Sequence, residues 1–339
     1  MLKIGIVGFG FMGRMHFRCW QATEGAVVTA VCDADPGAVT EVAASKGNIE
    51  GADGKADLSG VTIYSDYNKF LNEADIDAIS LTLPSFLHTG FTEKALRAGL
   101  HVLCEKPMAL NIAECDRMID VWKESECVLQ IGHCIRFWPE YSKLKELVES
   151  GEYGDVLAAN FRRLASAPGW SADSWLIDPG KSGGMPLDLH VHDTDVVQHL
   201  FGLPSAVQSH AAYYANGTVG HISTYYDYGA GKIVCAEGSW MVTPSFGFEM
   251  NFDVEFENAT VRMSSLASPT MKIYPGDAEP IVPELPPGDG YSREIEYFAR
   301  AVCGEEQPEV VTPEQSRDSV RIVLAEEASA AKNGVPECL

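Results

Sequence analysis

The sequence predicts an α/β protein of two domains, the first around a doubly wound parallel sheet and the second around a mainly antiparallel sheet. Up to residue 132, short apolar segments alternate with longer amphipathic ones, the order of strands and helices in a parallel sheet with right-handed crossovers. Beyond residue 150, apolar residues recur with a two-residue period between short turns, which is typical of antiparallel strands. We place the boundary between residues 126 and 127, so the domains span residues 1–126 and 127–339.

The composition bounds the class of protein. The chain has 339 residues, enough for two domains that each bury a core. Its 25 basic and 48 acidic residues give a net charge of −23, which argues against nucleic acid or an anionic membrane surface as a partner. No apolar run approaches the length of a membrane span, and the first residues lack the pattern of a signal peptide. Nine cysteines without a CxxC pair indicate reduced thiols, so we expect a cytoplasmic protein.

Six strands and five helices are predicted for the parallel sheet. The strands are Leu2–Val7, Val27–Cys32, Val61–Tyr64, Ile76–Leu83, Leu100–Cys104 and Val128–Gly132. The helices are Arg14–Trp20, Pro36–Ala44, Tyr67–Asn72, Ser85–Ala98 and Ile112–Ser125. Ligands of such sheets bind beyond the carboxyl ends of the strands. That edge should therefore carry four segments: Gly8–Gly13, Asp33, Thr82–Pro84 and Glu105–Pro107.

A glycine-rich turn joins the first predicted strand to the first helix. Its residues are Gly8, Phe9, Gly10, Phe11, Met12 and Gly13. The second strand ends at Asp33, twenty residues after the last of these glycines. Strand, glycine turn, helix, strand and terminal acid in this register predict a dinucleotide site in a Rossmann domain. An acid at this position can bind both ribose hydroxyls of NAD and would repel the 2′-phosphate of NADP, so we expect NAD. Arg14 is the one nearby cation that could favour NADP.

The second domain has its own series of elements. The predicted helices are Tyr141–Ser150, Leu187–Phe201, Tyr291–Cys303 and Pro313–Asn333. The predicted strands are Val156–Leu164, Ala206–Ala215, Gly220–Tyr228, Lys232–Met241, Met250–Phe256, Ala259–Met263 and Met271–Tyr274. Residues 165–186 and 275–290 are predicted loops, because both are rich in glycine and proline.

Lys106 is the first candidate for a catalytic residue. It follows a buried strand and precedes Pro107, whose ring stiffens the turn. At the edge where a cofactor would lie, its ammonium could hydrogen-bond a substrate hydroxyl and stabilise developing negative charge. A plain surface lysine is the alternative interpretation.

A second cluster lies at the start of the helix Leu187–Phe201. On an α-helix Asp188 and His192 share a face, so the carboxylate could orient an imidazole that accepts a proton from an alcohol. Asp195 and His199 extend the same stripe and resemble a metal-ligand spacing, although a polar helix face is the better interpretation and we predict no metal. His190 points elsewhere and either lines another wall of the pocket or is structural.

These motifs together resemble the glucose–fructose oxidoreductase / inositol dehydrogenase / rhizopine-catabolism (Gfo/Idh/MocA) family over nearly the whole chain. The resemblance is carried in order by the glycine turn, Thr82–His88, Glu105–Pro107, Ser182–Asp193 and the helix that begins at Pro313. It implies a Rossmann domain followed by an α+β domain with a large open sheet. It also implies that Lys106, Asp188 and His192 are the catalytic lysine, aspartate and histidine. Members mostly oxidise a ring hydroxyl of a sugar or cyclitol, or run the reverse reduction.

The resemblance also extends the set of candidate binding residues. Thr82, Pro84, His88, Glu105 and Lys106 join the glycine turn and Asp33 as expected cofactor contacts. The expected substrate contacts are Arg136, Trp175, His190 and His192. Trp170 and Trp240 lie in segments near the expected pocket mouth, where aromatic faces suit sugar rings and core packing is an equal interpretation. His190 replaces a residue that is small in many members.

Three functions stay open, of which an NAD-dependent dehydrogenase of a small polyhydroxylated ring substrate leads. The others are a non-catalytic dinucleotide-binding sensor and a glycosidase that oxidises its sugar transiently with bound NAD. We also expect a homodimer or homotetramer, because few helices remain to cover both faces of the second sheet. The apolar residues expected on the uncovered face are Tyr213, Tyr225, Phe252 and Val254.

Overall fold

The computed structural model describes residues 1–40, 57–169, 172–229 and 231–339. They form two compact units, one of residues 1–134 and 289–317 and the other of residues 135–288 and 318–339. The expected boundary at 126/127 lies before the last strand of the parallel sheet, which belongs to the first unit together with a helix from the later part of the chain.

The first unit is the expected doubly wound domain, with six parallel strands in the order β3-β2-β1-β4-β5-β6. The strands are β1 (Leu2–Val7), β2 (Ala26–Cys32), β3 (Thr62–Tyr64), β4 (Ala78–Leu81), β5 (His101–Glu105) and β6 (Leu129–Gly132). The helices are α1 (Phe11–Ala22), α2 (Pro36–Thr40), α3 (Tyr67–Glu73), α4 (His88–Arg97), α5 (Ile112–Lys123) and α9 (Gly290–Val302), and α9 packs on α1. The predicted helix Pro36–Ala44 continues outside the described residues.

The strand order of this sheet determines where a ligand can bind. The chain runs outward from β1 through β2 to β3 and then crosses to the other side of β1 with β4. Loops that leave β1 and β4 therefore separate and open a crevice at their carboxyl ends. The buried apolar side chains of the two strands include Ile4, Ile6 and Ile79, which are fully buried.

The second unit is built on eight strands in the order β13-β12-β11-β7-β10-β9-β8-β14. The strands are β7 (Val156–Ala165), β8 (Ala206–Tyr213), β9 (Val219–Asp227), β10 (Ile233–Ser239), β11 (Phe248–Phe256), β12 (Ala259–Ser264), β13 (Met271–Pro275) and β14 (Glu337–Cys338). All neighbours are antiparallel except β7 and β10, which run parallel. The helices are α6 (Pro139–Ser150), α7 (Pro179–Ser182), α8 (Val191–Phe201) and α10 (Pro313–Ala331), the last of which contributes its residues from 318 onward.

Two segments of the second unit differ from their sequence prediction. The predicted loop 165–186 contains a 3₁₀ turn (Ala172–Ile177) and α7. The predicted helix Leu187–Phe201 begins as a single π turn (Pro186–His190) and becomes α-helical only at α8. Strand β14 was not predicted, since two residues carry no periodicity.

The uncovered face of the second sheet is not the apolar surface that we expected. Phe252 and Val254 are fully buried, because they lie on the face of β11 that packs against the core. Tyr213 is 46% exposed, and Tyr225 is half-buried on the strand face opposite the core residues. The remaining side chains of that face are largely polar, and they include Asn160, Arg162, Glu237, Asn251, Asp253 and Arg262.

Among the described residues, no helix is long and apolar enough to cross a membrane. All nine cysteines lie in the described ranges, and none forms a disulfide.

Candidate functional site

The glycine turn after β1 has two closely packed glycines and one that faces open space. Gly8 has φ of +88°, and a Cβ there would lie 2.9 Å from the Leu83 side chain. A Cβ on Gly13 would lie 2.1 Å from the carbonyl oxygen of Gly8, so this glycine lets α1 approach β1. A Cβ on Gly10 would meet nothing within 4 Å. Gly10 is also the N-cap of α1 and supplies no side-chain cap, so the open space adjoins the helix N-terminus that attracts phosphate.

Asp33 connects the end of β2 to this turn. Its Oδ2 accepts a hydrogen bond from the Phe9 N–H at 2.7 Å, and its Oδ1 accepts one from the Asp35 N–H at 2.9 Å. The carboxylate is therefore fixed beside the glycine turn while remaining half-buried. Arg14 also contacts the turn, since its guanidinium carbon lies 5.9 Å from the centre of the Phe9 ring. The open space at Gly10 and the fixed acid fit the pyrophosphate and the ribose of a bound NAD.

The loop after β4 borders the same turn. The Thr82 hydroxyl donates to the Gly8 carbonyl at 2.6 Å, which holds this loop against the glycines. His88 is 1% exposed, and its two ring nitrogens each lie 2.8 Å from a carbonyl oxygen, those of Pro107 and Leu83. His88 thus joins the loops after β4 and β5 and has no nitrogen left for a ligand, which differs from the expected cofactor contact. Pro84 is half-buried in the same loop.

A buried hydrogen-bonded pair fixes the end of β5 immediately before Lys106. Oε1 of Glu105 lies 3.0 Å from Nε2 of His16, and Oε2 accepts the Lys106 N–H at 3.1 Å. Burial alone would raise the pKa of Glu105, but His16, with smaller contributions from Lys106 and His88, lowers it below its usual value. Glu105 is thus an ionised side chain of the interior rather than a surface group. The Lys106 side chain itself is half-buried at the carboxyl end of β5.

His16 is the residue of this unit that sequence reasoning missed. It lies on α1 and is fully buried among Met15, Phe17 and Trp20. The sequence did contain a signal for His16, because it is a titratable residue within the apolar face of the first helix. Its partner, 89 positions away, could not be found from that pattern.

In the second unit, two left-handed glycines precede the candidate histidine cluster. Gly183 and Gly184 have φ of +78° and +67°, and a Cβ on Gly183 would lie 2.5 Å from the side chain of Leu187. The Gly184 N–H donates to the Ser182 hydroxyl at 2.9 Å, which in turn donates to the Leu176 carbonyl at 2.6 Å. These contacts fix the sharp turn into the π-helical residues.

The π turn changes the expected relation between Asp188 and His192. The Val191 N–H donates to the Pro186 carbonyl, five residues back, so one extra residue is accommodated in this turn. Asp188 lies in the π turn and His192 in the first turn of α8, so the single α-helical register that we predicted does not hold. Both side chains are half-buried, whereas His190 between them is fully buried.

Arg136 and Asp195 form a buried pair instead of the predicted contacts. Nε and Nη2 of Arg136 donate to the two carboxylate oxygens of Asp195 at 2.8 and 2.7 Å. The Ser319 hydroxyl donates to the same carboxylate at 2.8 Å. Arg136 is 3% exposed, so a substrate contact through its guanidinium is not supported. Asp195 is likewise occupied, and the described residues include no group of three side chains arranged to hold a metal ion.

His190 is also placed differently from the expected substrate contact. It is fully buried, and its Nε2 lies 3.2 Å from Oε2 of Glu326, which is fully buried as well. Its side chain therefore points from the π turn into the interior of the second unit. Glu326 on α10 was not singled out from the sequence.

The tryptophans have separate roles. Trp175 is half-buried in the 3₁₀ turn, and its contact with substrate stays a prediction. Trp240 is 6% exposed in a core cluster with Met185, Leu189 and Ile222, so core packing explains it. Trp170 lies outside the described residues.

The chain belongs to the Gfo/Idh/MocA family. Residues 2–133 match its oxidoreductase domain with the NAD-binding Rossmann fold. Residues 141–262 match the Gfo/Idh/MocA C-terminal domain. The family resemblance of the motifs is thereby confirmed for both parts of the chain.

Two of the relatives in sequence are named as dehydrogenases. The chain is 30% identical over 203 residues to a myo-inositol 2-dehydrogenase of Thermotoga maritima, covering 59% of this chain and 55% of that protein. It is 29% identical over 293 residues to a D-xylose 1-dehydrogenase (NADP(+)) of Haloferax volcanii, covering 85% of this chain and 89% of that protein. The chain thus spans little more than half the length of the first of these relatives.

Solved structures share the fold. A levoglucosan dehydrogenase in complex with NADH and levoglucosan has a TM-score of 0.83 over 99% of both chains. Its identity to this chain is 20%, so the similarity establishes architecture and not substrate.

Proposed function

We propose that this protein is an NAD-dependent dehydrogenase that oxidises a secondary ring hydroxyl of a sugar, glycoside or cyclitol, or runs the reverse keto reduction. The observation that carries the proposal is the cradle after β1, where Gly10 faces open space and Asp33 is fixed beside it at 2.7 Å from the Phe9 nitrogen. Family membership supports the reaction class, and the named activities of the inositol and xylose relatives support the substrate class.

The proposed chemistry assigns one task to each of three residues. His192 accepts the proton of the substrate hydroxyl, since the ordinary pKa of an imidazole lies near neutrality and suits it to act as a general base. Lys106 donates a hydrogen bond to the same oxygen and stabilises its developing negative charge. The family resemblance assigns Asp188 the task of orienting His192. Bound NAD would supply the hydride acceptor. Glu105 and His16 hold the backbone from which Lys106 projects, as the 3.1 Å bond from the Lys106 N–H supports.

We further propose that NAD is preferred over NADP and that the protein works in the cytoplasm. The segment Cys32–Asp35 offers no cation for a 2′-phosphate, and Asp33 would repel one. Asp33→Ser should therefore weaken the preference for NAD. The ratio of kcat/KM with NAD to kcat/KM with NADP should fall by about tenfold or more. The name of the Haloferax relative states NADP as the cofactor of that protein. If this enzyme in its wild-type form also preferred NADP, Arg14 rather than Asp33 would determine the choice of cofactor.

The substrate class is tested with purified protein, NAD and a panel of cyclitols, free sugars and glucosides. The absorbance of reduced nicotinamide is followed together with the release of free sugar, and Lys106→Ala protein serves as the control. Net NADH formation that is lost in the control supports the dehydrogenase.

The other outcomes contradict it in distinct ways. Sugar release from a glucoside without net NADH would identify a glycosidase that uses NAD transiently. Tight NAD binding without turnover of any compound in either direction would identify a sensor.

A further inference from the structure

His190 and Glu326 are neighbours in the interior of the second unit. His190 lies in the π turn and Glu326 on α10, both are fully buried, and the distance between Nε2 and Oε2 is 3.2 Å. The Thr194 hydroxyl donates to Glu326 at 3.1 Å and is 3.2 Å from the Tyr226 hydroxyl. Because Thr194 has one hydroxyl proton and gives it to the carboxylate, Tyr226 is the donor to Thr194. The two hydroxyl groups thus form one chain of hydrogen bonds that ends at Glu326.

The neighbouring buried charges leave His190 as the counter-charge of Glu326. Arg163 donates to the two oxygens of Asp193 at 2.9 and 3.1 Å, as Arg136 does to Asp195. Each of these acids therefore has its own guanidinium. A buried carboxylate without a cation is strongly unfavourable, so the imidazole beside Glu326 is expected to carry a proton.

The surroundings of His190 also raise its pKa, which favours the protonated imidazole. Burial lowers it, but Glu326, and to a smaller extent Asp193, outweigh burial and the repulsion by Arg163, so the pKa is raised above its ordinary value. Tyr226, which also lies near Glu326, has its pKa raised well above its ordinary value by burial and stays neutral. Glu327, the next residue of α10, also interacts with Glu326, and burial together with that charge raises its pKa to about 7.

The strand beneath the π turn provides the room for this ring. A Cβ added to Gly238 of β10 would lie 2.8 Å from Nδ1 and 3.0 Å from Cβ of His190. Gly238 has no left-handed backbone that would demand glycine, so close approach to the imidazole is the reason for glycine at this position. Three elements are thus adapted to one side chain: the π turn carries it, α10 balances its charge and β10 leaves it space.

We propose that His190 is a positioning residue, held as an imidazolium by Glu326, which fixes the π turn and thereby the placement of Asp188 and His192. His190 follows Asp188 by two residues and precedes His192 by two, so a shift of its ring changes the backbone that carries both. The inference rests on the proposed function for the roles of those two residues. The ion pair itself is independent of any substrate.

Nuclear magnetic resonance of the histidine side chains tests the ion pair without turnover. The chain has nine histidines, and the signals of His190 and His192 are assigned by their loss in His190→Gln and His192→Asn protein. We expect His190 to remain protonated at pH values where exposed histidines are neutral, and to titrate at lower pH in Glu326→Gln protein. The His192 signal should shift in the same variant. A neutral His190 in the wild type, or an unchanged His192 signal in Glu326→Gln protein, overturns the proposal.

Kinetics then separate positioning from a merely structural role. Glu326→Gln should lower kcat about 10²-fold through misplacement of the reacting groups, with NAD affinity within about twofold of wild type. Glu314→Gln, the same substitution in the first turn of α10, where Glu314 pairs with Lys123 at the surface, is the matched control and should leave kcat unchanged.

The pH profile provides the readout that distinguishes the two roles. The basic limb of kcat should move to lower pH in Glu326→Gln protein and be absent in His190→Gln protein. If Glu326→Gln protein does not fold, His190→Gln alone decides. A loss of thermal stability with kcat and its pH profile unchanged would assign the pair to stability only.

Discussion

Lys106 and His192 are the two side chains on which the proposed proton transfer depends. Lys106→Ala and His192→Ala should each lower kcat by roughly 10²–10⁴-fold, because each acts on the reacting hydroxyl. NAD affinity, measured by calorimetry, should be largely kept, since the cofactor cradle lies at the glycine turn and Asp33.

The controls for this prediction are two residues of the same types outside the motifs. Lys123 pairs with Glu314 on the surface and is 57% exposed, and His210 is an exposed residue of β8. Lys123→Ala and His210→Ala should retain kcat. Full activity of Lys106→Ala or His192→Ala protein would remove that residue from the mechanism.

Glu327 is a carboxylic acid whose folded environment opposes its charge. Burial, with the nearby Glu326 charge, raises its pKa from 4.5 to about 7. The folded state therefore holds a proton that the unfolded chain has released, and this difference lowers stability progressively as pH rises from about 4.5 to 7. Above pH 7 the penalty is complete.

Replacement of this acid by an amide should remove the penalty. Glu327→Gln protein should gain more thermal stability over wild type at pH 8 than at pH 5, as measured by calorimetric melting in matched buffers. An equal difference in Tm at both pH values would show that Glu327 ionises normally in the folded protein.

At the scale of single elements, the glycine turn contains one glycine that is required for packing and one that borders the expected cofactor site. A Cβ on Gly13 would overlap the Gly8 carbonyl at 2.1 Å, whereas one on Gly10 would enter open space. Gly10 has φ of −73°, outside the left-handed region that favours glycine.

Two alanine variants should therefore fail in different ways. Gly13→Ala should lower Tm by several degrees, because α1 must move away from β1. Gly10→Ala should keep the wild-type Tm but weaken NAD binding by about tenfold or more, because its methyl group occupies the approach to the pyrophosphate. Unchanged NAD affinity in Gly10→Ala protein would place the cofactor elsewhere.

The same elements show what the sequence could and could not predict. The parallel strands, the glycine turn and the acid that ends β2 were found because local apolar patterns and turn residues determine them. The π turn was not predicted, because it depends on how Gly183 packs on Leu187 and how His190 fits against Gly238. The pairs His16–Glu105 and Arg136–Asp195 join residues 89 and 59 positions apart, which no local periodicity records. Some polar residues that the sequence offered as ligand contacts, such as Arg136 and Asp195, therefore pair with each other in the interior.

At the scale of the whole molecule, the outer face of the second sheet is the surface on which we expect a second copy to bind. Its side chains alternate with the core residues of the same strands and remain partly exposed. Arg162 lies 3.6 Å from Glu237 and 3.9 Å from Glu249 at its centre. The interface that we expect is therefore polar and contains ion pairs, in place of the apolar patch predicted from the sequence.

The oligomer should be a homodimer or homotetramer, and charge reversal at this face should weaken it. Arg162→Glu places three carboxylates together, and a two-fold interface doubles that repulsion, whereas an exposed pair within a monomer contributes little. Arg300→Glu is the matched control, since Arg300 is 45% exposed against 43% for Arg162 and also pairs with a glutamate. Light scattering across micromolar concentrations should show wild-type and Arg300→Glu oligomers and dissociation of Arg162→Glu protein. A wild-type monomer, or equal masses for all three proteins, would show that this face is not the interface.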